Sequence, residues 1–393
     1  MRLKTHLIPF CLFLLTLIFP MGGEVLGNEE PLEASPAITV AAVGDIMMGT
    51  DYPFPKLPKK DGRLLFEESK EFLKGADIVF GNLEGPLIDG GLPEKKAKEG
   101  ESYLFRTPPK FVKNLVDAGF NIVSLANNHA GDFGYQGMSS TKKVLEGEGI
   151  KYSSKDGEVA EFEINRLRIG VVAVSFGPPP RSIVYPEKAL EEIDLLSQKY
   201  DLLILSIHGG KEGGTALRTE NEFEYFLDEP RGNLVQFAHE AIERGADLIV
   251  AHGPHVPRAL EIYQDRLIAY SLGNFCTYRG MSLDKEKGYA PLLRVELGRS
   301  GEFVRGKIVS FIQLPPGSPK RDEEEKAWAL IKKLSQEDFP ETSPLFGPSE
   351  TILPREKPSK RDASPVNPLI VPPTDEKQEG VSDPRLLPEG GRR

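Results

Sequence analysis

The sequence predicts an α/β fold with a mixed sheet. Two observations point there. From Ile38 onward, short apolar runs alternate with stretches of helical spacing, the order that sets helices against a sheet. Pairs of apolar runs are also joined by short polar turns, and such hairpins add antiparallel strands.

Taken in order, residues 38–43 read as a buried strand, 67–74 as a short helix and 77–81 as the next strand. Thr107 suits a helix N-cap, with Pro108 at the first helical position. Phe111, Leu115 and Val116 follow at helical spacing, and Gly119 ends that helix. Residues 121–126, 202–207 and 248–251 repeat the buried-strand pattern. A helix rich in Ala, Glu and Phe spans 233–244 and ends at Gly245. The hairpins pair 161–164 with 167–174 around Asn165-Arg166, 259–263 with 267–271 around Gln264-Asp265, and 292–297 with 304–312 around 299–301.

Composition bounds the rest. The chain has 393 residues, 39% hydrophobic and 27% charged, enough to bury a sizeable core. The net charge of −10 and the lack of a basic run interleaved with aromatics argue against nucleic acid as a partner. An anionic substrate then needs a local positive site, which a metal ion supplies. Arg2 and Lys4 precede an apolar run over 7–19, and Val25-Leu26-Gly27 offers a small-residue site. Residues 1–27 therefore read as a secretory signal peptide, with an uncleaved anchor as the alternative. The expected location is periplasmic, cell-surface or extracellular. With Cys11 inside that segment, its removal leaves Cys276 alone, expected to be buried and inert. One domain is expected over 38–314. Pro315, Pro316 and Pro319 then break the pattern. Residues 322–336 fit an amphipathic helix, and 340–393, rich in Pro and charge, read as a disordered tail.

In α/β sheets, ligand sites form beyond the C-terminal ends of the strands. Here each predicted buried strand runs into polar, metal-competent residues. Asp45 follows the first; Asn82 and Glu84 follow the second; Asn127, Asn128, His129 and Asp132 follow the third. His208, Lys211 and Glu212 follow the fourth, and His252 and His255 the fifth. His239 lies mid-helix and reads as structural. Singly, each has a plainer reading: Asn127-Asn128 as an Asx turn, a lone histidine as a hydrogen-bonded core group. Recurrence at successive strand ends makes a polar functional site the better account. Carboxylate, amide and imidazole together suit Mn, Fe or Zn. Lys211 and Arg258 flank the histidine loops and read either as binders of substrate carboxylate or phosphate, or as solvated charges. Ser271 and Asn274 read as supports of the histidine loop.

The segments Val43-Gly44-Asp45-Ile46-Met47, Gly81-Asn82-Leu83-Glu84, Ala126-Asn127-Asn128-His129 with Asp132 and Gly134, His208 with Glu212, His252 through Val256, and Tyr270-Ser271-Leu272-Gly273-Asn274-Phe275 resemble the signature blocks of the CapA capsule-synthesis (poly-γ-glutamate biosynthesis) family. The resemblance covers about residues 38–314. That family in turn resembles the calcineurin-like metallophosphoesterases, which implies a layered α/β sandwich with a two-metal site. It also implies Asp45, Asn128, His208, His252 and His255 as metal ligands, His129 as catalytic acid and Asp132 as the group that orients it. Two departures stand out. Met47 replaces a usual histidine, and Asn82 stands near a usual bridging aspartate. Either Glu84 bridges two ions or the site holds one. Gly253 replaces a bulkier residue and is expected to open its loop slightly. The function implied is metal-dependent hydrolysis of a phosphoester or a γ-glutamyl amide in capsule polymer synthesis. The alternative is a non-catalytic, metal-stabilised binding factor for polymer synthesis or export. The expected partners are an anionic polymer or phosphoester and a membrane-bound polymer synthase.

Overall fold

Alternation along the buried strands divides the chain into layers. In the first strand, β1 (Ile38–Met47), Ile38, Val40 and Ala42 enter one core, while Ala41 and Val43 enter another. A strand apolar on both faces must be covered on both. The structure, a computed structural model, describes residues 37–95 and 103–355. In chain order the next strands are β2 (Ile78–Leu83), β3 (Ile122–Ser124), β4 (Lys151–Ser153), β5 (Ala160–Ile164), β6 (Leu167–Ser175), β7 (Leu202–His208), β8 (Glu224–Phe226), β9 (Glu229–Gly232) and β10 (Leu248–His252). They are followed by β11 (Leu260–Tyr263), β12 (Arg266–Ala269), β13 (Asn274–Thr277), β14 (Leu292–Leu297), β15 (Phe303–Val309), β16 (Phe311–Leu314), β17 (Ser318–Arg321), β18 (Leu345–Phe346) and β19 (Thr351–Leu353). The helices are α1 (Lys70–Leu73), α2 (Val112–Ala118), α3 (Gly134–Gly147), α4 (Glu187–Ser197), α5 (Leu234–Glu243) and α6 (Lys326–Asp338).

Two mixed sheets face each other. The larger runs β18-β19-β15-β14-β1-β2-β3-β4, with β13 paired to the end of β1; the smaller runs β11-β12-β10-β7-β6-β5. Strands β1 to β4 are mutually parallel, and β14 pairs antiparallel with β1. Between the sheets lie Val40, Phe80 and Ile122 from one and Val171, Ile204 and Val250 from the other. Outside the larger sheet, Leu73 of α1 and Leu115 and Ala118 of α2 pack on Ala41, Val79 and Val123. Outside the smaller one, Ile193 of α4 and Ala238 and Ala241 of α5 pack on Leu203, Leu205 and Ile249. The result is a layered α/β sandwich with mixed sheets. All the hairpins read from the sequence form, and Asn165, Arg166, Gln264 and Asp265 take the positive φ of tight turns.

Several elements differ from expectation. The helix expected over 67–74 shrinks to α1. Thr107 caps nothing; its Oγ1 donates to the carbonyl of Gly49, and a short 3-10 turn at Pro109–Phe111 leads into α2. Gly119 does end α2, with φ 92°. The helix expected over 322–336 starts later, at Lys326, where Asp322 accepts the Lys326 N–H at 2.8 Å. Order continues past both expected boundaries, 314 and 340. Strand β19 pairs with β15, and Glu350 accepts the Ser310 N–H at 2.6 Å and pairs with Arg321 at 2.8 Å. The proposed signal segment, 1–27, and residues 356–393 of the proposed tail lie outside the described residues. No described helix is long and apolar enough to cross a membrane.

Candidate metal and hydrolytic site

Parallel pairing brings the strand ends together. Asp45 lies in register with Asn82 on one side and Asn274 on the other, and His252 lies in register with His208. The two sheets present these groups to one another. Asp45, Glu84 and His208 each offer a ligand atom, all within 4.8 Å of one another, and all three are buried. Asn82 links them: its Nδ2 donates to Asp45 at 2.8 Å and Glu84 at 2.9 Å and lies 3.3 Å from His208 Nδ1. Asn127 Nδ2 donates to Asn82 Oδ1 at 3.0 Å, and Asn128 Oδ1 lies 3.1 Å from His208 Nε2.

Electrostatics separates two kinds of imidazole. Burial holds His208 well below its usual pKa and His252 at about 4, so both are neutral. Burial also opposes protonation of His255, but its 2.9 Å contact with Asp45 and that carboxylate's charge raise it to about 9. His255 is thus the cation beside Asp45. Asn274 Oδ1 also lies 3.1 Å from His255 Nδ1, and Glu212 lies 3.9 Å from its Nε2. Nδ1 of His255, a residue expected as a metal ligand, is thus engaged by Asp45 and Asn274. Burial works against ionised Asp45, yet the His255 hydrogen bond and the His255 charge hold it at about 2. Burial and the charge on Asp45 push Glu84 well above the carboxylate range.

The donor set suits a cation. Glu84 Oε2 and both ring nitrogens of His252 are buried without any hydrogen-bond partner, a costly state for polar groups in a core. Neutral imidazole and carboxylate oxygen are the ligands a divalent transition ion takes. Met47 cannot supply the missing nitrogen; it is buried, and its sulfur accepts the Gly49 N–H at 3.2 Å. Gly253 closes its loop rather than opening it. At φ 117° a Cβ there would stand 2.5 Å from the Gly209 carbonyl, so only glycine lets the His208 and His252 strand ends lie side by side.

Beside this cluster stands a second constellation. Asp132 Oδ2 lies 2.9 Å from His129 Nδ1 and accepts the Phe105 N–H at 2.8 Å. The other ring nitrogen of His129 faces Glu84 at 3.9 Å. Asn127 Oδ1 accepts the N–H groups of His129 and Ala130, fixing the turn that carries the ring. Burial lowers the pKa of His129, opposed by Asp132. Ser271 Oγ donates to the Val256 carbonyl at 2.7 Å, tying down the histidine loop. Cys276 is buried, and burial pushes its thiol up.

Arg258 and Lys211, expected to flank the histidine loops, are placed differently. Arg258 is fully buried, its guanidinium fixed on Glu224 at 2.8 and 2.9 Å and on the Ala216 carbonyl. It braces the loop after β7. Lys211 faces Glu222 at 3.8 Å, and its backbone N–H is held by Glu224. Asn127, Asn128 and His129 instead open into a cleft of 840 Å³ whose other walls include Lys95, Lys155, Phe176, Phe226 and Arg231. Of these only Phe176 follows a predicted strand, 167–174, and β8–β9, which brings in Phe226 and Arg231, carries no alternating pattern that would have revealed it.

The fold is a layered α/β sandwich with mixed sheets, and its site is a buried carboxylate–histidine cluster suited to a cation. The chain belongs to the bacterial capsule synthesis protein PGA_cap family, which matches residues 39–279. It is 26% identical over 343 residues to the PGA biosynthesis protein CapA of Bacillus subtilis, covering 83% of this chain and 85% of the relative. It is 28% identical over 306 residues to the capsule biosynthesis protein CapA of Bacillus anthracis, covering 72% and 69%. A probable polyglutamine synthesis accessory protein of Mycobacterium tuberculosis is 27% identical over 268 residues, covering 61% and 65%. Among solved structures, the calcineurin-like phosphoesterase YfkN of Bacillus subtilis aligns with a TM-score of 0.39 and 15% identity, over 77% of this chain and 97% of that one. At that score the likeness carries no weight for the site.

Proposed function

We propose that this chain is a metal-dependent hydrolase acting on amide bonds of a γ-linked glutamate polymer in capsule synthesis. The observation that carries the reading is the set of unpartnered buried atoms, Glu84 Oε2 and both nitrogens of His252, beside Asp45, His208 and the His129–Asp132 pair. The names of the curated relatives supply the polymer. Asp45, Glu84, His208 and His252 would hold the ion, with the amide oxygen of Asn128 near His208. An ion of the Mn, Fe or Zn type lowers the pKa of water and polarises a carbonyl when bound. Asp132 accepts from His129 Nδ1 and so leaves Nε2 to face the reacting atoms. His129 takes a proton from the attacking water and gives it to the leaving nitrogen. The water oxygen bonds to the carbonyl carbon, the C–N bond breaks, and the products are a carboxyl end and an amine end.

Export of the chain and work beside a membrane-bound synthase complete the proposal. A non-catalytic binding role is the second reading. Asn82 favours it, because an uncharged amide between Asp45 and Glu84 gives less negative charge than an aspartate would. The test is to load purified protein with Mn²⁺, Fe²⁺ or Zn²⁺, incubate it with γ-linked glutamate oligomers and follow new amine ends by mass spectrometry. Cleavage is expected, and His129→Ala should slow it by about a hundred- to ten-thousand-fold with metal content intact. Binding of the oligomer without cleavage under any of the three metals would replace the hydrolase with the binding factor.

A further inference from the structure

The cleft above His129 must also recognise its substrate, and its three cations differ in how far they are already committed. Arg231 is buried, pairs with Glu212 at 2.7 Å and Glu229 at 2.9 Å, and lies over the rings of Phe176 and Phe226. Its charge is answered within the wall. Lys95 Nζ lies 3.4 Å from Asp132 and donates to the Asn128 carbonyl at 3.1 Å, so it braces the His129 turn. Lys155 lines the same cleft, half-buried, with no ion pair or side-chain hydrogen bond to any described residue. In a chain of net charge −10, an ammonium in a cleft with no counter-ion among the described residues is an attachment point for an anion. The accessible apolar wall of the same cleft comes from Phe226 and Leu227.

We infer that Lys155 binds a carboxylate of the substrate chain while Phe226 and Leu227 receive the methylenes between carboxylates. The inference rests on the proposed reading and deepens it. A γ-linked glutamate chain repeats a free carboxylate and a short aliphatic stretch in its backbone, which matches a point cation in a cleft with an apolar wall. An ammonium on a flexible stem suits a singly charged carboxylate, and Lys155 is thus a specificity-determining residue rather than a catalytic one.

The test is calorimetric binding of a γ-linked glutamate hexamer to the full, metal-loaded chain at low salt, where exposed charge is least screened. Lys155→Ala should raise Kd about fivefold and Lys155→Glu about tenfold or more, while Lys155→Arg stays within about twofold. Lys188→Glu makes the same charge change on the exposed face of α4 and should stay within about twofold. Hydrolysis, where measured, should show the Lys155 effect in KM with kcat little changed. An unchanged Kd for Lys155→Glu, with the unmodified protein still binding, overturns this inference alone. Equal weakening by Lys188→Glu overturns it too, since the effect is then long-range. Absence of binding by the unmodified protein overturns the γ-glutamyl reading and this inference with it.

Discussion

The strands of this protein begin and end in opposite ways. Asp77, Asn121, Asp201 and Asp247 each stand at or just before a strand start. Each side chain accepts the N–H of a residue in the neighbouring strand: Thr39 at 2.7 Å, Val79 at 2.9 Å, Arg168 at 2.7 Å and Leu203 at 2.8 Å. Each also donates its own backbone N–H to the carbonyl of that same residue. The device recurs in both sheets and leaves the strand starts satisfied. At the strand ends the account does not close. Glu84 Oε2 and both His252 nitrogens have no partner, Glu84 lies against Asp45, and His255 holds φ 59° outside any hairpin turn. Polar groups that stabilise are paired; groups kept unpaired and strained in a core mark function, for which the rest of the fold compensates.

The strongest way to break this comparison is Glu84→Gln. Gln keeps the oxygen that accepts from Asn82 and replaces a carboxyl whose pKa burial and the charge on Asp45 push up. Metal affinity, measured by competition with a chelator, should fall by on the order of a hundredfold or more, about 3 kcal/mol. In chelator the melting temperature should move by no more than about two degrees. A large loss of stability in chelator would mean the strand ends hold the fold as the starts do. Next in size is Asn121→Ala. It removes the acceptor for the Val79 N–H and the donor to the Asp77 carbonyl. Urea denaturation should show a loss of about 2–3 kcal/mol, with metal content unchanged.

Under the strand-end rule, polar residues repeating after buried runs were legible as a group: Asp45, Glu84, His208 and His252 lie at or close to the ends of β1, β2, β7 and β10, and His129 lies in the turn after β3. What the rule lacks is direction. It names His252 and His255 alike, but the left-handed backbone at His255 turns that ring onto Asp45, and only coordinates show it. The missed helices have different causes. In α3, glycines and threonine fill the buried positions, Gly137 and Thr141 beside Leu145, so hydrophobic periodicity is faint. In α4, Ala189, Leu190 and Ile193 do carry helical spacing, and that signal was available. Strands β18 and β19 span so few residues in a proline-rich stretch that no period forms. The cleft cations were illegible, since Lys155 and Arg231 gain their meaning from loops that meet only in the fold.

The smallest effect is a pH dependence that sets the two ends against each other in chelator-treated protein. Burial pushes the Asp247 carboxyl up to about 6, against its hydrogen bonds from Leu203 and Arg266. A folded pKa above the unfolded one means this group favours the folded state fully below the unfolded value of 3.8, and that contribution is lost as pH rises through about 6. His252 does the reverse. Burial takes it from 6.5 to about 4, so its contribution is present above 6.5 and is lost as pH falls toward 4. Across pH 4 to 6 the two slopes oppose each other and flatten the profile. Asp247→Asn removes one of them while an amide oxygen can still accept the Leu203 N–H. Between pH 4 and pH 7, the stability of the variant should therefore rise relative to that of the unmodified protein, by about 2 kcal/mol. Denaturant midpoints at the two pH values decide it. Parallel profiles would show that Asp247 titrates normally, and that the strand starts carry no buried charge for the strand ends to oppose.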